Sequence, residues 1–320
     1  MRSFFRFSSW VLMACCWSWG SAMAADFPTK TVRLVVPFPP GGATDALARL
    51  MAEKLSDKWK QPVIVENKPG ANTAIGTDVV AKSAPDGHVL GIVTGSHVTN
   101  PLLGAKLPYD TLKDLTGVMM LTRFHMGIYA HPSVPANTPA ELIELAKQKP
   151  PLAYAAATTQ SYLGMSLLNM MTKTSMEYVA YKGSAQAIND VLGGHIKLMI
   201  DPVLHSTLQH VQAGKLKLIG TLSTKPADLT PNTPAFGRLV SGYDFSGVFG
   251  LVARGGTPSA LVRQIRNDFA SVMQMPEVAE RIRSIGQEAI TSTPEEYNAY
   301  ILDEMKKWAP VVQATGAKID

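Results

Sequence analysis

Cysteine is nearly absent from this 320-residue chain, and the two present, Cys15 and Cys16, both fall in the first two dozen residues. Beyond them there is no disulfide, no thiolate nucleophile and no cysteine-held metal, which suits an oxidising compartment. Charge runs are absent too. The formal net charge is +5, or about +3 (5 − 2) without Arg2 and Arg6. With no basic–aromatic interleaving, that balance excludes a nucleic-acid partner, while a mildly cationic surface modestly favours acidic solutes. The glycine signatures of nucleotide sites, G-x-G-x-x-G and G-x-x-x-x-G-K-[ST], do not occur. Neither does a G-x-S-x-G nucleophile elbow, because Gly95-Ser96-His97 lacks the second glycine. Ser96, just after a strand, reads as a hydrogen-bond donor at a ligand edge. The seven histidines have no carboxylate at ligand spacing, and His205 and His210 are five apart rather than on one helix face. No metal and no cofactor are expected.

Long apolar runs are likewise missing. Val11 to Trp19 is too short to span a bilayer and instead forms the core of a secretory leader. Arg2 and Arg6 precede it, and the small residues of Ala22-Met23-Ala24 follow. Residues 1–24 are therefore predicted to be a signal peptide cut near Ala24/Ala25, leaving an exported protein. Leu12-Met13-Ala14-Cys15 loosely matches a lipoprotein box, so lipidation at Cys15 is the alternative.

What is present is an alternation of strand-like and helix-like segments, which argues an α/β fold. Strands are predicted at 32–36, 63–66, 89–93, 117–121, 126–130, 153–156, 177–179, 196–200, 217–221 and 248–252. Helices are predicted at 44–58, 74–82, 139–148, 162–172, 184–192, 204–213, 258–273, 276–285 and 294–315. Thr138-Pro139, Thr257-Pro258 and Thr293-Pro294 look like helix starts with a cap before a first-turn proline. Close to 300 mature residues exceed one comfortable core. One βαβ set ends near Met120 and a second runs over about Ala153–Thr221, with connecting segments at 122–132 and 245–258. The expected architecture is two-lobed, each lobe a mainly parallel sheet flanked by helices and joined by two crossovers. Residues 25–123 plus 250–320 would form one lobe and 124–249 the other, with a ligand cleft between them.

Three strand-to-helix turns carry candidate ligand groups. Phe38-Pro39-Pro40-Gly41-Gly42-Ala43-Thr44-Asp45 follows an apolar strand. Gly41 and Gly42 allow close backbone approach, Thr44 or Asp45 can cap the helix, and the helix N-terminus offers N–H groups to an anion. Thr158, Thr159 and Ser161 surround a second helix start. Tyr181, Gly183, Ser184 and Gln186 surround a third, with Ser184 as its expected cap. Ordinary capping explains any one of these turns; three in one two-lobed chain point to a shared anion cleft. Asp201, ending an apolar strand, reads as a ligand contact, a helix cap or a salt-bridge partner.

These blocks together resemble the Bug/TctC family of periplasmic solute-binding proteins, receptors of tripartite tricarboxylate transporters. The similarity runs from Phe27 to Ile319. Its markers include Val36-Pro37-Phe38-Pro39-Pro40-Gly41-Gly42 with Asp45 and Arg49, Val65-Glu66-Asn67-Lys68-Pro69-Gly70-Ala71, Asn100-Pro101 and Tyr181-Lys182-Gly183. The resemblance implies a Venus-flytrap receptor of the type II-like class that closes on a small carboxylate and is not an enzyme. Phe38, Gly41, Gly42, Thr44 and Asp45 would hold one carboxylate from one side, and Gly183, Ser184 and Gln186 from the other. Residues 96–100 and 158–161 would meet the distal end. The implied partners are the carboxylate and the membrane permease subunits, with the receptor itself a monomer. Two departures mark the distal pocket: Tyr154 to Ser161 lacks the family's glycine-rich turn, with Gly164 near its histidine, and Val248-Phe249 stands where many members carry tryptophan. A sensor feeding a two-component system, or an exported hydrolase built on Ser96 and His97, are the competing classes.

Overall fold

The computed structural model describes residues 27–318 except Lys182. The leader, its Ala24/Ala25 cleavage and Cys15 lie outside the described residues. The first βα units are β1 (Val32–Val36), α1 (Ala43–Trp59), β2 (Val63–Asn67), α2 (Ala74–Ala81), β3 (Val89–Val93) and α3 (Ser96–Leu102). Next come β4 (Leu115–Ala130), α4 (Pro139–Ala146), β5 (Ala153–Ala156), α5 (Thr159–Thr172), β6 (Glu177–Ala180) and α6 (Ser184–Leu192). They are followed by β7 (Leu198–Pro202), α7 (His205–Gln212), β8 (Lys217–Thr221), α8 (Phe236–Leu239) and β9 (Ser246–Arg254). The chain closes with α9 (Ser259–Met273), α10 (Pro276–Ser284), β10 (Gln287–Ala289) and α11 (Pro294–Thr315).

The strands join in the order β2-β1-β3-β9-β4-β7-β5-β6. β1 pairs in parallel with β2 and β3, and β5 with β6 and β7. The strands that tie these two sets together, β9 and β4, run antiparallel to their neighbours. Apart from the half-buried Arg33, which pairs with Glu66, β1 is apolar and buried, as a parallel strand covered on both faces should be. Leu47, Met51 and Leu55 of α1 repeat every four residues and are fully buried over it. This stripe closes the core shared with Val262, Ile265 and Phe269 of α9.

β4 is one strand of 16 residues, where the sequence suggests two separated by a connector. Its first part, Leu115 to His125, pairs with β9; its second, Met126 to Ala130, pairs with β7 and β8. The polar stretch Thr122–Phe124 stays extended because β9 holds one edge and the short β10 the other. Thr122 also donates to Gln287 Oε1 at 2.6 Å. Neither partner strand is local, so nothing local announces the continuity. α11 then lies across both strand sets, with Trp308 buried edge-on against Phe245 at 5.8 Å between ring centres. Gly250 lets it approach, since a Cβ there would overlap the Tyr297 hydroxyl.

Two of the three Thr-Pro starts cap as expected. Thr138 accepts the Glu141 N–H, and Thr293 and Glu296 form a reciprocal capping box. The third does not: Thr257 donates to the Arg254 carbonyl at 2.7 Å, and no side chain caps α9. α3, which holds Pro101 in its interior, and the single-turn α8 are absent from the helices expected from the sequence.

Candidate functional site

Every candidate turn sits beyond the carboxyl end of a strand, where open α/β sheets hold their ligands. The first follows β1. Gly41 has φ +90°, a left-handed conformation that favours glycine, whereas Gly42 has φ −83°. Gly42 is the N-cap residue of α1, and no side chain caps the helix. The expected cap from Thr44 or Asp45 is therefore not made. Both lie inside the helix and are buried.

Asp45 works on the turn instead. Its carboxylate, 3% exposed, accepts the Gly41 N–H at 2.9 Å, Arg49 Nε at 2.9 Å and Asn67 Nδ2 at 2.9 Å. Asn67 Nδ2 also reaches the Phe38 carbonyl at 3.0 Å. The Arg49 hydrogen bond, followed by those from Gly41 and Asn67, outweighs burial and lowers the Asp45 pKa to about 2. The carboxylate is thus saturated by protein donors, and the turn it braces presents Gly41 and Gly42 exposed. A Cβ built on either glycine would meet nothing within 4 Å.

The third turn has the same design. Gly183, extended at φ 179°, is the N-cap of α6, and no side-chain cap is made. Ser184, the expected cap, is the first helical residue and donates its hydroxyl to Asp201 Oδ1 in a short hydrogen bond. Among the described residues Asp201 therefore neither caps a helix nor forms a salt bridge. It is 4% exposed and accepts from Ser184 and, at 3.4 Å, from Thr207. Desolvation outweighs these two hydroxyl hydrogen bonds and pushes its pKa up to about 6. Tyr181 is committed elsewhere, donating to Asp190 Oδ2 at 2.7 Å, and Gln186 is exposed on α6.

The second turn is capped conventionally. Thr158 accepts the Ser161 N–H at 3.1 Å, and the two hydroxyl oxygens lie 2.8 Å apart. Thr159, one step further, lines a cleft of about 860 Å³ together with Asn72, Lys106, Tyr162, Tyr178 and Ala180. Its walls come from both strand sets. The rings of Tyr162 and Tyr178 lie 4.8 Å apart and form one wall. Ala71 and Asn72 of the lining belong to a turn with three consecutive left-handed residues, Ala71, Asn72 and Thr73, a conformation costing about 1–3 kcal/mol per non-glycine residue. Asn72 donates to Asn100 Oδ1 at 2.6 Å, and Ser96 Oγ lies 2.7 Å from Thr73 Oγ1, bracing that turn. Ser96 is therefore a buried brace rather than a free donor at a ligand edge.

Ser96 and His97 form no hydrolase pair. Ser96 is held by Thr73 and Thr94, while the buried His97 ring has an unpartnered Nδ1 and a pKa lowered to about 4 by desolvation. A Ser–His–acid chain does occur among Ser223, His125 and Glu288, with contacts of 2.7 Å on each side of the ring. Ser223, however, is buried and donates to the Lys225 carbonyl at 2.7 Å, which occupies its proton. The chain works as a tie between the end of β8, the middle of β4 and β10. Among the described residues no cluster of three or more metal-ligating side chains occurs, and no helix is long and apolar enough to cross a membrane.

The distal departures have steric reasons. A Cβ at Gly164 would lie 2.5 Å from the Phe245 ring, so this chain has filled with Phe245 the space a larger side chain would need. Phe249 is buried and packs on Phe124 at 4.9 Å. Tyr162, Tyr178, Lys106 and Asn72 carry no local sequence signal. They are far apart in the chain and meet only through the fold. Asn67 was visible as part of the Glu66-Asn67-Lys68-Pro69-Gly70 block, though not its tie to Phe38 and Asp45.

Comparison with known proteins gives a consistent picture. BugT of Bordetella pertussis is 33% identical over 304 residues, covering 92% of both chains. A UPF0065 protein from the gbd 5' region of Cupriavidus necator is 30% identical, covering 92% of this chain and 90% of its own. Among solved structures, R. palustris Rpa4515 with adipate aligns with TM-score 0.79 at 30% identity, covering 92% of this chain and 99% of its own. MatC from Rhodopseudomonas palustris with bound malate aligns with TM-score 0.74 at 27% identity, covering 89% and 100% respectively. The profile of the tripartite tricarboxylate transporter family receptor, TctC, matches residues 47–317. With this fold, these turns and these relatives, the chain belongs to the TctC family of tripartite tricarboxylate transporter receptors.

Proposed function

We propose that this protein is a periplasmic solute receptor that captures a small carboxylate between two lobes and delivers it to the permease subunits of a tripartite tricarboxylate transporter. The observation that carries the reading is the pair of helix N-termini, α1 and α6, that open on bare glycines and have no side-chain cap. Uncapped N–H groups and the positive end of the helix dipole suit an anion. Two relatives hold dicarboxylates, adipate and malate. Gly41, Gly42, Ala43 and Thr44 would bind one carboxylate from one lobe, and Gly183 and Ser184 from the other. Phe38, Asp45 and Tyr181 would shape the turns, and Gln186 would stand beside them. The 860 Å³ cleft with Thr159, Tyr162, Tyr178 and Lys106 would take the distal end.

Residues 25–123 plus 250–320 would move as one lobe and 124–249 as the other, hinged on the middle of β4 and the start of β9. The mature receptor would be a monomer released by cleavage near Ala24/Ala25, and its cycle would involve no turnover of the ligand. Refolded protein, freed of any retained ligand, tests this against a panel of organic acids by thermal shift. Native-state binding at a hundredfold excess over Kd should stabilise by about 2.7 kcal/mol. A panel that produced no shift would overturn the receptor reading, and consumption of a ligand would overturn the claim of no turnover. Scattering on the same samples should show the radius of gyration falling when ligand saturates the cleft.

A further inference from the structure

A serine hydroxyl has one proton to give. In this structure Ser184 gives it to Asp201. Its oxygen is then left with lone pairs at the first turn of α6, where an incoming carboxylate would also bring lone pairs. The two acceptors cannot bond to each other unless a proton is added. Asp201 is the place for it. The carboxylate is buried, and among the described residues its hydrogen bonds come from the hydroxyls of Ser184 and Thr207.

Resting on the carboxylate-receptor reading, we propose that ligand capture reverses the Ser184–Asp201 hydrogen bond and brings a proton onto Asp201, so that carboxylate and proton bind together. The proton comes from solvent and adds to a carboxylate oxygen of Asp201. Protonated Asp201 then donates to Ser184 Oγ, and Ser184 donates its own hydrogen to the ligand oxygen. No covalent bond other than this O–H is made. The ligand's negative charge near a buried carboxylate favours the same change, and burial has already pushed Asp201 up to about 6, within reach of neutral pH.

The groups around Asp201 leave it as the acceptor. Tyr129 on β4 is a buried phenol with its pKa raised by desolvation and then by Asp201, so it stays neutral. Asp190 on α6 is engaged by the Tyr181 hydroxyl, Thr207 on α7 contributes only a hydroxyl, and His205 at the start of α7 is exposed. The sign follows from linkage: ligand raises the Asp201 pKa, so affinity rises as pH falls toward the free value and levels off below it. One proton permits at most a tenfold gain per pH unit.

Calorimetry with adipate and with malate at pH 8.0 and 7.0, in HEPES and in Tris, measures the protons taken up, since the two buffers differ in ionisation enthalpy and neither brings a phosphate or carboxylate that would compete for the site. The expected result is uptake approaching one proton, with affinity several-fold higher at pH 7.0. Asp201→Asn should bind with no uptake and no pH dependence, because its amide donates permanently. Ser184→Ala should also lose the uptake, and it carries the test if the first variant does not fold. Equal heats in both buffers for the wild type would overturn the proposal while leaving the receptor reading intact. Uptake that persisted in Asp201→Asn would assign the proton to another group and overturn it equally. If neither acid bound in any buffer, the clamp reading itself would fail, and this proposal with it.

Discussion

Gly42→Val separates binding from folding in a way the structure makes quantitative. Gly42 has φ −83° and ψ 173°, an extended conformation open to any residue, and a Cβ there meets nothing within 4 Å. Valine should therefore cost no strain and no clash, and the stability change should stay within about 0.5 kcal/mol. Its branched side chain would stand directly over the N–H groups that open α1. Blocking one or two hydrogen bonds to a charged ligand, at about 1.5–3 kcal/mol each, weakens affinity by roughly 10- to 10,000-fold. Gly41→Val is the control. At φ +90° valine is strained, which costs about 1–3 kcal/mol of stability, so here the melting temperature should fall as well. Thermal denaturation and titration calorimetry on both variants give the two numbers independently. If Gly42→Val bound adipate or malate as tightly as wild type while the wild type bound either, the α1 N-terminus would not be the anion site. If it lost as much stability as Gly41→Val, the assignment of strain to Gly41 alone would be wrong.

Three further outcomes follow from the packing and the charges. Gly164→Ala should destabilise by about 1–3 kcal/mol through overpacking against Phe245, read as a lower midpoint in urea with an unchanged slope; wild-type stability would mean the ring moves freely. Thr293→Ala removes the hydroxyl half of the α11 capping box and should cost about 1 kcal/mol, visible in the same melt; an unchanged midpoint would refute it. Asp45 has a folded pKa below its unfolded value, so its contribution is complete above about pH 4 and disappears as pH falls toward about 2. The stability gap between wild type and Asp45→Asn should accordingly be constant at neutral pH and close in acid; a gap that persisted at pH 2 would rule out the ionised carboxylate as its source.

The chain's own pattern determined whatever depends on neighbours in sequence. The buried repeat of Leu47, Met51 and Leu55, the apolar β1, and the Thr-Pro starts at Thr138 and Thr293 each act within a few residues, and they form as their spacing dictates. The glycine turns before α1 and α6 were legible for the same reason. What the tertiary structure decided is where each polar group spends its hydrogen bonds. Asp45 and Ser184 look like helix caps locally, yet the first is taken by Gly41, Arg49 and Asn67 and the second by Asp201, 17 residues away on β7. Ser96 looks like a ligand donor and is claimed by Thr73. β4 looks like two strands and is one, because β9 and β10 satisfy its polar middle. A buried polar group takes the partner the fold brings to it; Asn67, Asp201, Thr73 and the strands β9 and β10 all lie beyond the reach of local spacing, whereas the Gly41 and Arg49 contacts of Asp45 are only four residues away.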